Sequence, residues 1–353
     1  MARLAAASRQ CHILFMPPHP ETWLRVRPAG LYCEPGDFYI DPLRPVERAI
    51  ITHAHADHAR PGHNRVLASA ETLAIMRARM GVERAGTSQQ PLAQGETLTI
   101  NDVAIQLIPA GHVLGSCQIV MDFQGSRAIV SGDYKRRADP TCSAFMPLPC
   151  DVFVTEATFG LPVFRHPNAT DEIAKLLASL KLFPERTHVV GCYALGKTQR
   201  LIALLRQAGY DQPIYLHGAL QKLCALYENF GIPLGDLRPA TIAVRAELRG
   251  ALVLAPPSAI ADRWARRLDD PVTAAASGWM RIRQRAKSGG IELPLIISDH
   301  ADWDELCTTI IDMQAPEIWI THGNEEALIH QATLMGRRAR ALRLIGYGED
   351  DAA

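Results

Sequence analysis

The chain lacks several features that would have narrowed it early. Among its 353 residues no apolar run approaches the roughly 18 residues of a membrane-spanning helix. Met1 to Gln10 has no long apolar core, so no secretory signal is expected and a cytoplasmic location follows as the expectation. The eight cysteines form no C-x-x-C pairs, which argues against zinc ribbons and disulfide frameworks and for reduced, mostly buried thiols. Net charge is absent too, with 37 basic residues against 37 acidic, so the sum does not mark a nucleic-acid binder and only the distribution of charge can. No internal repeat or low-complexity segment stands out. What remains is a chain that is 48% hydrophobic, enough for large cores, and long enough for two domains of about 150 residues.

Against that background one stretch carries the chemistry: His53-Ala54-His55-Ala56-Asp57-His58. It follows the apolar run Ala49-Ile50-Ile51, and strand geometry sends alternate side chains to one side. His53 and His55 would then point at one ion, while Asp57 and His58, further into a turn, reach a second. Neutral imidazole and carboxylate suit zinc, manganese or iron, and two neighbouring ions suit hydrolysis of phosphate esters. A His-rich solvated turn is the plainer alternative. Six residues cannot close two coordination spheres, so distant partners are needed. His112, Asp133 and His322 each follow an apolar strand-like segment, 104–111, 127–132 and 317–321, which is where an α/β layered protein exposes its chemistry. With the cluster they make seven ligands for two metals.

These residues resemble the metallo-β-lactamase superfamily. T-H-A-H-A-D-H matches its signature, and His112, Asp133 and His322 match the order of its third histidine, bridging aspartate and final histidine. The resemblance implies a four-layer αβ/βα sandwich with the site between two sheets. It implies that His53, His55 and His112 bind one ion, Asp57, His58 and His322 the other, and Asp133 bridges. Two divalent ions, zinc or manganese, would activate a shared water. Three further strings resemble the β-CASP nuclease branch: Thr155-Glu156-Ala157-Thr158-Phe159-Gly160, Ser298-Asp299-His300-Ala301-Asp302 and Thr321-His322-Gly323. The resemblance implies that Glu156 and His300 join Asp57 and Asp133 in catalysis, His300 as general acid. The long interval between Glu156 and His300 leaves room for the inserted α/β cap that defines this branch. The resulting expectation is a metal domain over 1–167, a cap over 168–288 and a return to the metal domain over 289–353.

Gly191-Cys192-Tyr193-Ala194-Leu195-Gly196-Lys197-Thr198 also fits the phosphate loop of ATPases. The following strand ends in His217-Gly218, and 251–255 ends in prolines, so neither offers the carboxylate that would hold magnesium. Lys197 and Thr198 at a helix N-terminus are instead read as contacts to a nucleic-acid phosphate, together with Lys135 and Arg136 just past Asp133. Arg263, Arg266 and Arg267 and the run from Arg281 to Lys287 are further basic clusters, for which solvated surface is the alternative. The helices expected are 71–80, 171–180 with Thr170 as N-cap, 198–208 and 303–313; Ile291 to Ser298 is expected as a strand of the metal domain. His63 is read as a helix-face or surface residue, and His12, His19, His166, His188, His217 and His330 fit no metal pattern.

Gly30-Leu31-Tyr32-Cys33, Gly36 to Pro42, Thr158 to Pro162 and Ser277-Gly278-Trp279-Met280 are similar to the bacterial ligase-associated DNA exonucleases. That implies a metal-dependent DNA exonuclease in DNA repair, associated in function with an ATP-dependent DNA ligase and a helicase, without membrane involvement. His322 resembles the RNA-processing members instead, which makes RNA the alternative substrate. A scaffold that has lost catalysis would have lost ligands, and a lactamase or thioesterase has no use for Glu156, His300 and the insert.

Overall fold

Val103, Ile105 and Leu107 are buried while Ala104 and Gln106 are partly exposed, a period-two pattern that makes a strand with one face inward. The same rule builds three sheets. The computed structural model describes residues 16–342 apart from 242, 244, 261–263 and 266–267, so the arginine cluster at 263, 266 and 267 lies outside the described residues.

The first sheet follows chain order: β1 (Leu24–Arg27), β2 (Gly30–Cys33), β3 (Phe38–Ile40), β4 (Arg48–Ile50), β5 (Arg65–Ala68) and β6 (Ser88–Pro91). The second begins with β7 (Thr97–Ile100), β8 (Val103–Pro109), β9 (Cys117–Phe123) and β10 (Ser126–Val130), all antiparallel, and adds β11 (Val152–Ala157) parallel to β10. The chain then leaves to make a third sheet from β12 (His188–Gly191), β13 (Ile214–Leu216), β14 (Leu237–Pro239), β15 (Leu252–Ala255), β16 (Val272–Ala276) and β17 (Leu293–Leu295), in the order β14-β13-β15-β12-β16-β17 with every pairing parallel. It returns to the second sheet with β18 (Glu317–Gly323), parallel to β11, and β19 (Arg338–Ala341).

Alternation assigns the faces. Ile40 and Ile50 of the first sheet meet Ile105, Ile119, Val154 and Trp319 of the second in one core. The opposite residues of the second sheet, Ile108, Val120, Phe153 and Ile318, pack under Leu306 and Ile310 of the helix Trp303–Asp312. Val66 of the first sheet and Ile51 just past β4 pack with Leu73 and Met76 of the helix Ala70–Met80 in a cluster that continues to Val190 and Leu254 of the third sheet and Leu201 of the helix Lys197–Gln207. Among the described residues no helix is long and apolar enough to cross a membrane.

Two boundaries differ from the sequence reading. The strand expected over 291–298 is shorter and pairs Ala274–Ala276 with Leu293–Leu295, so it closes the edge of the third sheet, not the second. Its residues alternate too briefly to show which sheet they join. The helix expected from Asp171 starts at Ala169, with Asn168 rather than Thr170 at the N-cap and no side-chain cap bond.

Candidate metal centre

Strand ends deliver the site. The turn after β4 carries His53 to His58 and is closed by the Ala59 amide donating to the His55 carbonyl at 2.8 Å. His112 and Asp133 follow β8 and β10, and His322 lies within β18. Close backbone approach explains two neighbouring glycines. A Cβ on Gly132 (φ +56°) would stand 2.6 Å from Thr52 Oγ1, and one on Gly111 (φ +75°) 2.2 Å from the Lys135 carbonyl. His322 itself takes a left-handed φ of 57°, a costly conformation for a non-glycine residue that the strand pairing around it must hold.

Six of the seven expected ligands converge in two groups that share Asp133. His53, His55, His112 and Asp133 offer ligand atoms within 4.8 Å of one another, as do His58, Asp133 and His322. His55 Nδ1 lies 3.1 Å from His53 Nε2 and 2.9 Å from His112 Nε2. Asp133 Oδ2 lies 3.5 Å from His53 Nε2, 3.4 Å from His58 Nε2 and 3.8 Å from His112 Nε2. A tetrahedral ion with metal–nitrogen bonds of about 2.0–2.1 Å has ligand–ligand edges of about 3.3 Å, so these spacings suit a cation. Asp57 falls outside both groups and reaches the second only through His58 Nε2 at 3.5 Å.

The stronger test of fit is the far side of each ring. His55 Nε2 lies 3.2 Å from the Leu195 carbonyl and His112 Nδ1 3.0 Å from the Asp299 carbonyl. A carbonyl only accepts, so both nitrogens carry hydrogen and the opposite ones present lone pairs. His58 Nδ1 meets Asp41 Oδ2 at 2.7 Å. Thr52 Oγ1 spends its hydrogen on Asp41 Oδ2 at 2.5 Å and so accepts from His53 Nδ1 at 3.1 Å. Four imidazoles thus have their tautomers set, each turning its free lone pair toward the shared centre, which is how metal-binding histidines are held. Asp41 was missed by the sequence reading except as part of a family-like string. Its partners lie 11 and 17 residues away, and no local pattern marks them.

Charge is arranged to match. Burial drives His53 and His112 well below the usual imidazole range, keeping them neutral. Burial, with His58 nearby, lowers His322 to about 4. Burial works against the charge on Asp133, yet His58 and His300 overcome it and hold the carboxyl well below its ordinary value. His58 departs from this: burial opposes its cation, but Asp133 and Asp57 raise it well above the usual imidazole range, so to take an ion it would first give up the proton on Nε2.

Glu156 and His300 form a third element. His300 Nδ1 lies 3.0 and 3.2 Å from the two Glu156 oxygens and 3.9 Å from Asp133 Oδ2, and Glu156 Oε1 accepts from the Tyr134 amide at 2.7 Å. Burial raises the Glu156 carboxyl although His300 pulls it down. Asp133, Glu156 and His300 are also close enough to hold an ion between them. Beside His300 opens a cavity lined by His55, Phe159, Tyr193, Lys197 and Trp279.

Three of the four residues expected to contact nucleic acid have partners within the protein. Thr198 is buried and donates to the Tyr193 carbonyl at 2.6 Å. Lys135 is buried with Nζ 3.5 Å from the His300 carbonyl. Arg136 pairs with Asp312 at 2.6 Å. A charge run in sequence looks the same whether it faces solvent or braces a packed junction. Lys197 does line the cavity beside His300, with its ammonium 3.0 Å from Asp299. The strands flanking β12 are β15 and β16, followed by Pro256 and Ser277, so the phosphate-loop match has no magnesium carboxylate there. His63 is buried, not on the surface, and its Nδ1 accepts from the Val46 amide at 3.3 Å.

The chain is 30% identical over 329 residues to a probable DNA ligase of Opitutus terrae, covering 91% of this chain and 31% of that protein. It is 27% identical over 237 residues to endoribonuclease YSH1 of Mycosarcoma maydis, covering 54% of this chain and 27% of that one. The chain belongs to the β-CASP branch of the metallo-β-lactamase superfamily. The probable RNase MJ4 of Methanocaldococcus jannaschii is a further β-CASP relative, 23% identical over 222 residues that make 53% of this chain and 51% of that protein. The chain therefore spans about a third of the length of the first two relatives. A solved structure of a protein of unknown function from Enterococcus faecalis V583 shares the fold, with a TM-score of 0.53 over 83% of this chain and 78% of that one at 13% identity. No family model matches the chain.

Proposed function

We propose that this β-CASP protein is a two-metal phosphodiesterase that trims DNA ends as an exonuclease. The observation that carries the reading is the position of Asp133 Oδ2 between two histidine groups, 3.5 Å from His53 Nε2 and 3.4 Å from His58 Nε2, the place of a carboxylate shared by two ions. His53, His55 and His112 would hold one ion, and His58, His322 and, at its edge, Asp57 the other. Two bound divalent cations, zinc or manganese, supply a water of lowered pKa and charge for the phosphate oxygens. The first two sheets with their helices are read as the four-layer αβ/βα sandwich. The third sheet is read as the inserted cap, running from about residue 168 to 295 because β17 pairs with β16.

Cleavage leaves an alkoxide on the departing sugar, and a placed acid that protonates it is worth about 10²–10⁴-fold. His300 takes that role. Glu156 holds its Nδ1, so Nε2 is the nitrogen turned away from Glu156. Lys197 contributes a cation to the cavity that receives the strand. DNA is favoured by the relative named as a DNA ligase, which aligns with nine-tenths of this chain and supports a functional association with a DNA ligase. RNA is the second reading, favoured by the relatives named as ribonucleases.

The test is incubation of the protein with end-labelled DNA and RNA of matched sequence, varying zinc, manganese and magnesium separately. Metal-dependent shortening of DNA is expected; RNA-selective cleavage moves the assignment to the second reading. His300→Ala should keep both ions and cleave at least about a hundredfold more slowly. The deficit should shrink on a nitrophenyl phosphodiester whose leaving group needs no proton. Equal loss on both substrates would make His300 a ligand or a brace.

A further inference from the structure

A second cavity reaches Ser298 but none of the metal ligands, with about 1190 Å³ of open space including its mouth. Its walls come from the segment after Asp133, the start of the helix Ala169–Leu182 and the helix Lys197–Gln207. The proposed reaction uses none of the side chains that line it.

Three cations face it: Lys135, Arg137 and Arg200. Lys135 is 2% exposed, and its ammonium meets only distant oxygens, the His300 carbonyl at 3.5 Å and Glu305 at 4.0 Å. Such contacts leave a three-donor group poorly compensated for burial. The carboxylate on the lining, Asp139, is already engaged by the Thr141 amide at 2.8 Å, its hydroxyl at 2.6 Å and Arg200 at 3.3 Å. Asp302 is likewise spent on Arg137 at 2.6 Å. The helix Ala169–Leu182 brings its N-terminus to the wall, and Asn168 gives no side-chain cap; its carbonyl takes the Asp171 and Glu172 amides, so the earlier amides, of Ala169 and Thr170, and the positive end of the dipole are there.

An independent feature points to a ligand. His166 lines the same cavity, is 8% exposed, and both its ring nitrogens are buried without a hydrogen-bond partner among the described residues. Its backbone is fixed by Asp302 and Arg137 at 2.9 Å each, so the ring is held at the cavity without a protein acceptor or donor. Buried polar groups of this kind are rare unless something else satisfies them.

We propose that this cavity binds a phosphomonoester dianion, with Lys135 and Arg137 as counter-charges and His166 and the helix amides as hydrogen-bond donors. Phosphate accepts from several donors at once, which suits a wall that offers many donors and one occupied carboxylate. The space exceeds a bare phosphate and admits a mononucleotide. The inference stands on the cavity itself and not on the nuclease reading.

Calorimetric titration of the metal-loaded protein with inorganic phosphate and with dAMP tests it, with deoxyadenosine as the control lacking phosphate. Two binding events are expected, one of them at the metals. His166→Phe should weaken the other at least tenfold and leave the metal-site event unchanged. Lys135→Met should weaken it further, with folding checked by circular dichroism. Tighter binding of dAMP than of phosphate identifies a nucleotide site; equal affinities identify free phosphate. Binding of deoxyadenosine as tight as dAMP, or a single event that His166→Phe does not move, overturns the proposal. If both variants misfold, tungstate soaked into crystals of the unmodified protein decides. A peak beside Lys135 and His166 is expected, and a peak only at the metal ligands overturns it.

Discussion

Asp41→Asn isolates the part of the site that no motif announces. The Asp41 carboxylate takes three hydrogens from the turn it supports: the Thr52 amide on Oδ1 at 2.8 Å, and the Thr52 hydroxyl and His58 Nδ1 on Oδ2 at 2.5 and 2.7 Å. Asparagine has nearly the same shape but puts an NH₂ on one side. If the NH₂ replaces Oδ1 it faces the buried Thr52 amide, donor against donor. If it replaces Oδ2 it faces the hydroxyl and the imidazole, and the second can comply only by moving its hydrogen to Nε2, the nitrogen beside Asp133. The first arrangement leaves a buried donor unmet, at a cost of about 1–3 kcal/mol. The second removes His58 from the metal and, through Thr52, disturbs His53. Either way the ligands lose their outer support, typically worth about 10–100-fold in metal affinity, or about 1.4–2.7 kcal/mol. Competition against a chromophoric chelator, with metals per chain counted by atomic emission, measures it. Two ions held as tightly in Asp41→Asn as in the wild type would refute the argument that tautomer control by Asp41 builds this centre.

Asp133→Ala should lose both ions and all measurable hydrolysis, because one oxygen serves both groups; His322→Ala should weaken the second ion selectively, so a metal count distinguishes the two. Gly132→Ala should destabilise the fold by about 1–3 kcal/mol, since its Cβ would press on Thr52 at 2.6 Å in a left-handed backbone; chemical denaturation at fixed metal concentration reads this. Burial lowers His63 to about 4. The folded state therefore refuses a proton that the unfolded chain takes below about 6.5, and stability is whole above about pH 6.5 and falls toward pH 4. His63→Gln should narrow its stability gap to wild type by about 2 kcal/mol between pH 7 and pH 5, and parallel pH curves for the two proteins would rule this out.

The fold was legible where patterns repeat over many residues. β8, β10 and β18 are long enough to show their alternation, and the third sheet announced itself by strands and helices taking turns. β17 did not, because Leu293–Leu295 is three residues long and its sheet is decided by partners, not by its own pattern. The surroundings of the basic segment Lys135-Arg136-Arg137 were hidden for a related reason. Arg136 and Arg137 are answered by Asp312, Asp302 and Glu305, which lie on or at the start of a helix far along the chain, while Lys135 is buried beside the His300 carbonyl.

The candidate site divides along the same line. His53, His55, Asp57 and His58 are neighbours in sequence, so their chemistry is visible in one window. His112, Asp133 and His322 stood out as candidates because each comes at or just after the end of an apolar strand-like segment, a position with its own signature. The atoms that orient them leave no such trace. Two of the orienting groups are backbone carbonyls, of Leu195 and Asp299, and any residue supplies a carbonyl. Leu195 lies in the turn that matches an ATPase phosphate loop. In the fold, that turn packs against the metal centre: Leu195 sets the tautomer of His55, and Lys197 pairs with the residue whose carbonyl sets His112. A glycine-rich turn followed by a lysine approaches other groups closely, whatever those groups are. Here those groups include His55, a candidate ligand, and that geometry ties the third sheet to the candidate site of the other two.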